Sequence, residues 1–214
     1  MGKAYANRKP IAERPDSDFY GTPRSVIWEM LKSGIFDNSR HILDPCCGDK
    51  IFEEELSKKG FQVTSKDIQT GNDFLKEPYD YAMYDTVASN PPFSLFDDFV
   101  LKAKKVSPRV IFIGKTNFLG AHSRQVNGVW KNLSDVYVFD RQIDYQFPVQ
   151  DNGDVGVGCL VTCAYVWSRG YTAAPRLHFI DMNQYCKLGG YENWLKKNDP
   201  DKYQQLLDKK ELKR

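Results

Sequence analysis

No apolar run in this chain of 214 residues approaches the ~18 residues that a membrane-spanning helix needs. The first ten residues, Met1-Gly2-Lys3-Ala4-Tyr5-Ala6-Asn7-Arg8-Lys9-Pro10, hold no apolar core segment, which argues against an export signal. No CxxC pair occurs among the five cysteines, at 46, 47, 159, 163 and 186. Their odd number and the missing export signal argue against a disulfide framework and against a zinc site. Reduced thiols in a cytoplasmic protein are the expectation, with Cys159 and Cys163, four apart, pointing into a core. Charge of one sign is scarce as well. A net charge of +2 is too small to imply a nucleic-acid partner by itself, although it permits a local basic groove. Internal repeats and low-complexity linkers are absent, so one domain with a sizeable core is expected.

What is present is an alternation of strand and helix signals. Thr22-Pro23 ahead of Val26, Ile27, Met30 and Leu31 predicts an amphipathic helix, with Thr22 as N-cap, Pro23 as first residue and Gly34 as stop. His41–Asp44 reads as a buried strand, Ile51–Lys59 as a helix closed by Gly60, and Phe61–Ser65 as a second strand. Thr86–Ser89 is a third. Ser94-Leu95-Phe96-Asp97 matches a capping box before a helix with Phe96, Phe99, Val100 and Ala103 on its apolar face. Arg109–Ile113 is a strand, and Val136–Phe139 with Leu160–Trp167 reads as a hairpin. Alternation first and a hairpin last predict an α/β fold with a mostly parallel, doubly wound sheet and an antiparallel edge. Residues 1–17 read as a flexible basic arm, and residues 184–214 as a polar, lysine-rich helical tail.

The most informative stretch is Thr86-Val87-Ala88-Ser89-Asn90-Pro91-Pro92-Phe93, an apolar strand running into an amide, two prolines and an aromatic ring. Methyl transfer to an exocyclic amine has use for that order. The Asn90 amide oxygen and the Pro91 carbonyl can accept the two amine hydrogens. Successive prolines fix φ and aim that carbonyl. Phe93 can stack on a flipped base. The same residues would also serve as a plain Pro-Pro break at a strand end.

Ligands of open α/β sheets bind beyond the carboxyl ends of the strands. Asp44-Pro45-Cys46-Cys47-Gly48-Asp49-Lys50 occupies such an end, with Gly48 allowing close backbone approach. Asp67-Ile68 ends the next strand, and Asp67 follows Gly48 by nineteen residues, near the spacing for a carboxylate that accepts ribose hydroxyls. Asp73 offers a carboxylate to an adenine amine, and Phe74 a ring to its face. Each feature alone is also a common turn or core feature; their succession on strand ends is what points to a cofactor.

With these motifs in that order, the chain resembles S-adenosylmethionine-dependent adenine-N6 DNA methyltransferases, of the compact kind often encoded by phages and prophages. The resemblance covers residues 18–183. Asn90-Pro91-Pro92-Phe93 matches the family's catalytic Asn/Asp-Pro-Pro-Tyr/Phe, and Asp44-Pro45-Cys46-Cys47-Gly48 its cofactor loop. Phe19-Tyr20-Gly21-Thr22-Pro23 is similar to the motif that encloses the methionine end of the cofactor. Asp67, Ile68, Asp73 and Phe74 fall where the family holds ribose and adenine. The resemblance implies a Rossmann-like, seven-stranded sheet, S-adenosyl-L-methionine as cofactor, DNA with a flipped adenine as substrate, and no metal. RNA adenine and protein glutamine methyltransferases share the tetrapeptide, and a non-catalytic binding module with the same fold is a further alternative. One departure stands out: the family's loop usually has a second glycine two residues after the first, and here that residue is Lys50. A lysine there stands to narrow the loop or move the helix start.

The family's chemistry would require the amine lone pair to localise as nitrogen becomes tetrahedral, stabilised by acceptors already in place, with direct in-line transfer and positioning as the main contribution. Cys46 and Cys47 are read as loop packing rather than nucleophiles. Lys115, Arg124 and Lys131 are candidates for phosphate contact, and Phe118-Leu119 for a wedge into the gap left by a flipped base, although each also reads as a solvated or core residue. No large recognition domain is evident, which leaves residues 141–158 as the candidate target reader, or as a long Gly-rich hairpin loop. Removing 142–154 and closing the gap with glycines is expected to keep cofactor binding and abolish sequence preference. Methylation of the same DNA site with the same preference by the shortened protein would move recognition elsewhere.

Overall fold

The computed structural model describes residues 21–80, 83–141, 143, 161–182 and 204. The expected arm 1–17, the tail 184–214 apart from Gln204, and the reader segment beyond Arg141 and Ile143 lie outside the described residues, as do Tyr20, Cys159 and Cys186.

The elements are α1 (Arg24–Lys32), β1 (His41–Asp44), α2 (Ile51–Ser57), β2 (Gln62–Ser65), β3 (Thr86–Ser89), α3 (Phe96–Val106), β4 (Arg109–Lys115), α4 (His122–Val126), β5 (Leu133–Phe139), β6 (Thr162–Ser168) and β7 (Arg176–Ile180). They build a seven-stranded sheet of order β2-β1-β3-β4-β6-β5-β7. Strands β2, β1, β3 and β4 run parallel. β6 is antiparallel to both β4 and β5, and β7 returns parallel to β5. This is the Rossmann-like, doubly wound arrangement expected, with the β5–β6 pair supplying the antiparallel part.

Period-two alternation divides the core between the two faces of the sheet. Leu43, Val87, Val110, Phe112, Tyr165 and Trp167 face α3, which buries Phe96, Phe99, Val100 and Ala103 against them. Their neighbours Ile42, Ala88, Ile111, Ile113, Ala164 and Val166 face α1 and α2, which bury Val26, Ile27, Met30, Phe52 and Leu56. Strands buried on both faces explain why β3, β4 and β6 are apolar almost throughout. An ion-pair clamp joins α1 to α2: Arg24 reaches both Glu54 and Glu55, and Trp28 Nε1 donates to Glu55 Oε2 at 2.6 Å. Burial alone would raise the Glu55 carboxyl, but hydrogen bonds from Lys58, Trp28 and Arg24 outweigh it and hold that carboxyl below its ordinary value. Among the described residues no helix is long and apolar enough to cross a membrane.

Three local expectations need correction. The N-cap of α1 is Pro23, in extended conformation with no side-chain cap; Thr22 spends its hydroxyl on Asn90 instead. The N-cap of α3 is Leu95, without a side-chain cap, rather than Ser94, and Asp97 pairs with Arg124 at 2.5 Å. The third is β7, which the sequence pattern does not mark. It forms one edge of the sheet, and its Leu177 and Phe179 are exposed, so no buried apolar face advertises it.

Gly114 marks the tightest approach in the sheet. A Cβ there would stand 2.7 Å from Phe96 Cε2 and 3.0 Å from Tyr165 Cε2, both on buried rings. Gly114→Ala is therefore expected to destabilise the fold by ~1–3 kcal/mol. For a chain of this size that lowers Tm by about 2–4 °C per kcal/mol. An unchanged Tm in a thermal melt would show that the rings yield without cost.

Candidate active site

The chain leaves β1 for β2 on one side and reaches β3 on the other, so the sheet has a switch point between β1 and β3. Crevices at the carboxyl ends of strands beside such a point are where open α/β sheets take ligands. Asp44 is the last residue of β1 and Ser89 the last of β3. Between them and the start of α1 lies a cleft of about 310 Å³ of empty space, part of it open solvent. Thr22, Cys46, Cys47, Gly48, Phe52 and Asn90 line it.

Asp44 is fully buried. Its Oδ1 accepts from Ser89 Oγ at 2.6 Å and from the Cys46 amide at 3.4 Å, while Oδ2 has no hydrogen-bond partner among the described residues. Burial, only partly opposed by the Ser89 and Cys46 hydrogen bonds, raises the carboxyl from its ordinary 3.8 to about 7. Ser89 Oγ also lies 2.9 Å from Cys46 Sγ. Burial, then the nearby Asp44, push the Cys46 thiol well up, and burial first among its causes pushes Cys47 to about 11. Neither thiol is a thiolate near neutral pH, so neither is an activated nucleophile.

The loop 45–50 is tied to β2 by the amide of Cys47 donating to the Lys66 carbonyl at 3.0 Å and by the amide of Gly48 donating to Asp67 Oδ2 at 3.0 Å. Asp67 Oδ1 accepts from the Gln69 amide at 2.9 Å. Both carboxylate oxygens thus hold backbone, with one further lone pair on each for a ligand. Ile68 beside it is 68% exposed, an apolar side chain facing solvent. Lys50 has φ +59° and ψ 25°, the left-handed conformation that glycine adopts at little cost and lysine at ~1–2 kcal/mol. Its side chain turns outward toward Glu53 at 3.7 Å, and α2 starts directly after it. Lys50 is not among the residues that line the cleft.

The remaining site expectations divide. Asn90 Nδ2 donates to Thr22 Oγ1 at 3.1 Å, joining the end of β3 to the segment before α1. Pro23 is the α1 cap, and Pro45 and Pro91 are buried beside the crevice, with Pro92 half-buried. Phe74 is 2% exposed, its ring packed on Tyr79 and Phe99 with centroids 5.2 Å from each. A ring so placed is part of the hydrophobic core. Asp73 is bound to Lys76 at 2.8 Å and to the Leu75 amide, and the Lys76 ammonium holds its carboxyl below the ordinary value. Phe93 is 6% exposed and meets Phe118 edge-on at 6.0 Å. Phe118 is buried against Phe96 as well, so of the expected wedge pair only Leu119 is exposed. Arg124 is paired with Asp97 and stacked on Phe118 at 4.1 Å, and Lys131 is exposed. Sequence reasoning missed Ser89. Its signal was a hydroxyl at the end of an apolar strand, next to Asn90.

The residues around the cleft are compatible with a cofactor that brings a hydrogen-bond donor or a cation to Asp44. Asp44 Oδ2 is buried without a partner among the described residues, and a hydrogen-bond donor or a cationic group would satisfy it.

No protein-family model matches the chain, and no curated protein matches it. Among solved structures it is similar to a candidate RNA methyltransferase from Pyrococcus horikoshii, at 16% identity over 73% of this chain and 90% of that one, with a TM-score of 0.48. It is also similar to a dimethyladenosine transferase from Plasmodium falciparum, at 8% identity over 70% of this chain and 63% of that one, TM-score 0.40. A third is a nuclease-deleted Type ISP restriction–modification enzyme solved with a DNA substrate mimic, at 11% identity over 76% of this chain and 27% of that one, TM-score 0.42. Every one of these TM-scores is under 0.5, so the chemistry of the site rests on strand order and side-chain placement.

Asp44 makes a pH prediction. Its folded pKa, about 7, lies above the ordinary 3.8, so its contribution favours the fold below pH 4 and is lost as pH rises toward 7. At ~1.4 kcal/mol per pKa unit the loss is on the order of 4 kcal/mol. Thermal melts between pH 5 and 8 should show the wild type losing stability with rising pH and Asp44→Asn changing less. Parallel curves for the two proteins would sink the assignment.

Proposed function

We propose that the chain transfers the methyl group of S-adenosylmethionine to the exocyclic N6 amine of adenine in DNA. The observation that carries the reading is the meeting of Asn90, Thr22 and the Cys46–Gly48 loop around one cleft at the switch point, with Asp44 buried behind it.

On this reading Asp44 Oδ2 takes the ammonium of the methionine end, Thr22 and Pro23 close over it, and the Cys46–Gly48 backbone lies along it. Asp67 keeps its spare lone pairs for the ribose, and Ile68 covers the adenine in the role first expected of Phe74. Bound S-adenosylmethionine supplies a methyl group already activated by a positive sulfur. The protein's part is positioning. Thr22 holds the Nδ2 of Asn90, which fixes the amide plane and presents Oδ1 as an acceptor. Asn90 Oδ1 and the Pro91 carbonyl receive the two amine hydrogens, which keeps the lone pair on nitrogen as it attacks. Pro91 and Pro92 have no N–H and fixed φ, so that carbonyl keeps its direction. Phe93 provides the ring on which the base rests.

Asn90→Ala should leave the fold and S-adenosylhomocysteine affinity close to wild type and cut methyl transfer by ~10²–10³. Asn90→Asp should retain part of the rate, because a carboxylate oxygen still accepts. The assay is transfer of labelled methyl to duplex DNA, to RNA and to a glutamine peptide, with the product identified by mass spectrometry. N6-methyladenine in DNA supports the proposal. Methyl adenine in RNA alone, or methylglutamine, replaces the substrate. Full activity in Asn90→Ala removes the mechanism.

A further inference from the structure

Three side chains form a hydrogen-bonded chain where β1 and β3 end. Ser89 Oγ donates to Asp44 Oδ1 at 2.6 Å and lies 2.9 Å from Cys46 Sγ. Asp44 and Ser89 are both buried, and Asp44 Oδ2 has no hydrogen-bond partner among the described residues. Cys46 and Asn90, the residue after Ser89, line the cleft.

A hydroxyl has one proton to give. With Asp44 ionised, that proton goes to Oδ1, and the Cys46 thiol, which keeps its own proton near neutral pH, donates to Ser89 Oγ. With Asp44 protonated at Oδ1, the chain reverses: the carboxyl donates to Ser89 Oγ, and the hydroxyl turns its proton to the Cys46 sulfur. The two arrangements use the same side chains and differ by one proton on Asp44. Burial, together with the carboxylates of Asp67 beyond β2 and Glu53 on α2, favours the neutral acid. The Ser89 hydroxyl and the Cys46 amide favour the anion. In the loop, Cys47 is neutral near pH 7 and the Lys50 ammonium turns to Glu53 at 3.7 Å. The balance stands at about 7, where a positive group brought to Oδ2 tips it to the anion.

We propose that Ser89 is a positioning residue for the cofactor: its hydroxyl holds Asp44 and, by exchanging its hydrogen bonds between Asp44 and Cys46, lets the buried acid give up a proton as the ammonium of the methionine end arrives. This rests on the reading of the cleft as an S-adenosylmethionine site. The step is balanced: a neutral carboxyl and an ammonium ligand become a carboxylate–ammonium pair, and one proton passes to the solvent. Below pH 7 the ligand has to displace that proton, so its affinity rises about tenfold per pH unit and levels off above pH 7. A ligand without the α-amine displaces none.

The test is titration calorimetry with S-adenosylhomocysteine and with methylthioadenosine, which keeps the nucleoside and the sulfur but lacks the amino-acid end. Runs between pH 5.5 and 8, in buffers of different ionisation enthalpy, count the protons released. Wild type should release about one proton per S-adenosylhomocysteine at pH 6 and few at pH 8, and none with methylthioadenosine. Ser89→Ala should move the S-adenosylhomocysteine profile up by about one to two pH units, so that release persists at pH 8, and leave methylthioadenosine as it was. Ser89→Cys, close in shape but a weaker donor, should move it part of the way. In an Asp44→Asn background the Ser89 substitutions should move nothing. Circular dichroism checks each fold, and Ser89→Cys carries the comparison if Ser89→Ala does not fold. Equal proton counts for the two ligands, an unmoved profile, or equal weakening of both ligands at every pH overturns the Ser89 proposal; binding of S-adenosylhomocysteine then shows that the cofactor site itself stands. If wild type does not bind S-adenosylhomocysteine at all, the S-adenosylmethionine reading fails and the Ser89 proposal with it.

Discussion

The hydrogen bond from Ser89 Oγ to Asp44 Oδ1 is the contact on which the carboxyl end of the sheet depends. It bridges the ends of β1 and β3 across the point where the sheet changes direction. A buried carboxylate is tolerated only where it is hydrogen-bonded or met by a charge. Ser89 and the Cys46 amide satisfy one oxygen and leave the other without a partner among the described residues. Because Ser89 is followed directly by Asn90, the group that orients the buried acid is one peptide bond from the amide that faces the cleft. The two halves of the proposed reaction are thereby held to one register by the β1–β3 pair.

The layout of the sheet was legible where burial is two-sided. β1, β3, β4 and β6 announce themselves as short apolar runs, and α1 and α3 as stripes with period 3.6. Gly34 and Gly60, both at positive φ, end their helices as the sequence implies. β7 was not legible, because its Leu177 and Phe179 face solvent while Arg176 and His178 turn to Asp135, at 2.7 and 2.9 Å. Its place depends on partners far away in the chain. The start of α3 was misplaced for a related reason: Asp97 meets a cation, Arg124, brought near by tertiary folding.

The candidate site shows the same division. The spacing of Gly48 and Asp67 reflects a real contact, since the amide of one meets the carboxylate of the other. Local pattern also singled out Asn90 and the loop after β1. Phe74 looked equivalent from sequence, but an aromatic after a loop carries no mark of which way it turns, and here it fills the space under α3. Ser89 acquires its contacts with Asp44 and Cys46 from the β1–β3 side, and β4 runs on past Phe112, the partner of Ser89, to Lys115. No motif encodes that overhang.

β6 lies between β4 and β5 although it follows both in sequence. During synthesis from the N-terminus, the parallel half of the sheet and both prospective neighbours of β6 emerge first, each with an unpaired edge. The sheet closes only when residues 162–168 arrive and pair on both sides at once. Tyr165, whose hydroxyl seals the carbonyl of Lys115, comes with that strand. The carboxyl end of β4 is thus among the last parts of the sheet to be fixed, and a chain truncated before β6 would carry the tetrapeptide beside an unpaired β4 edge.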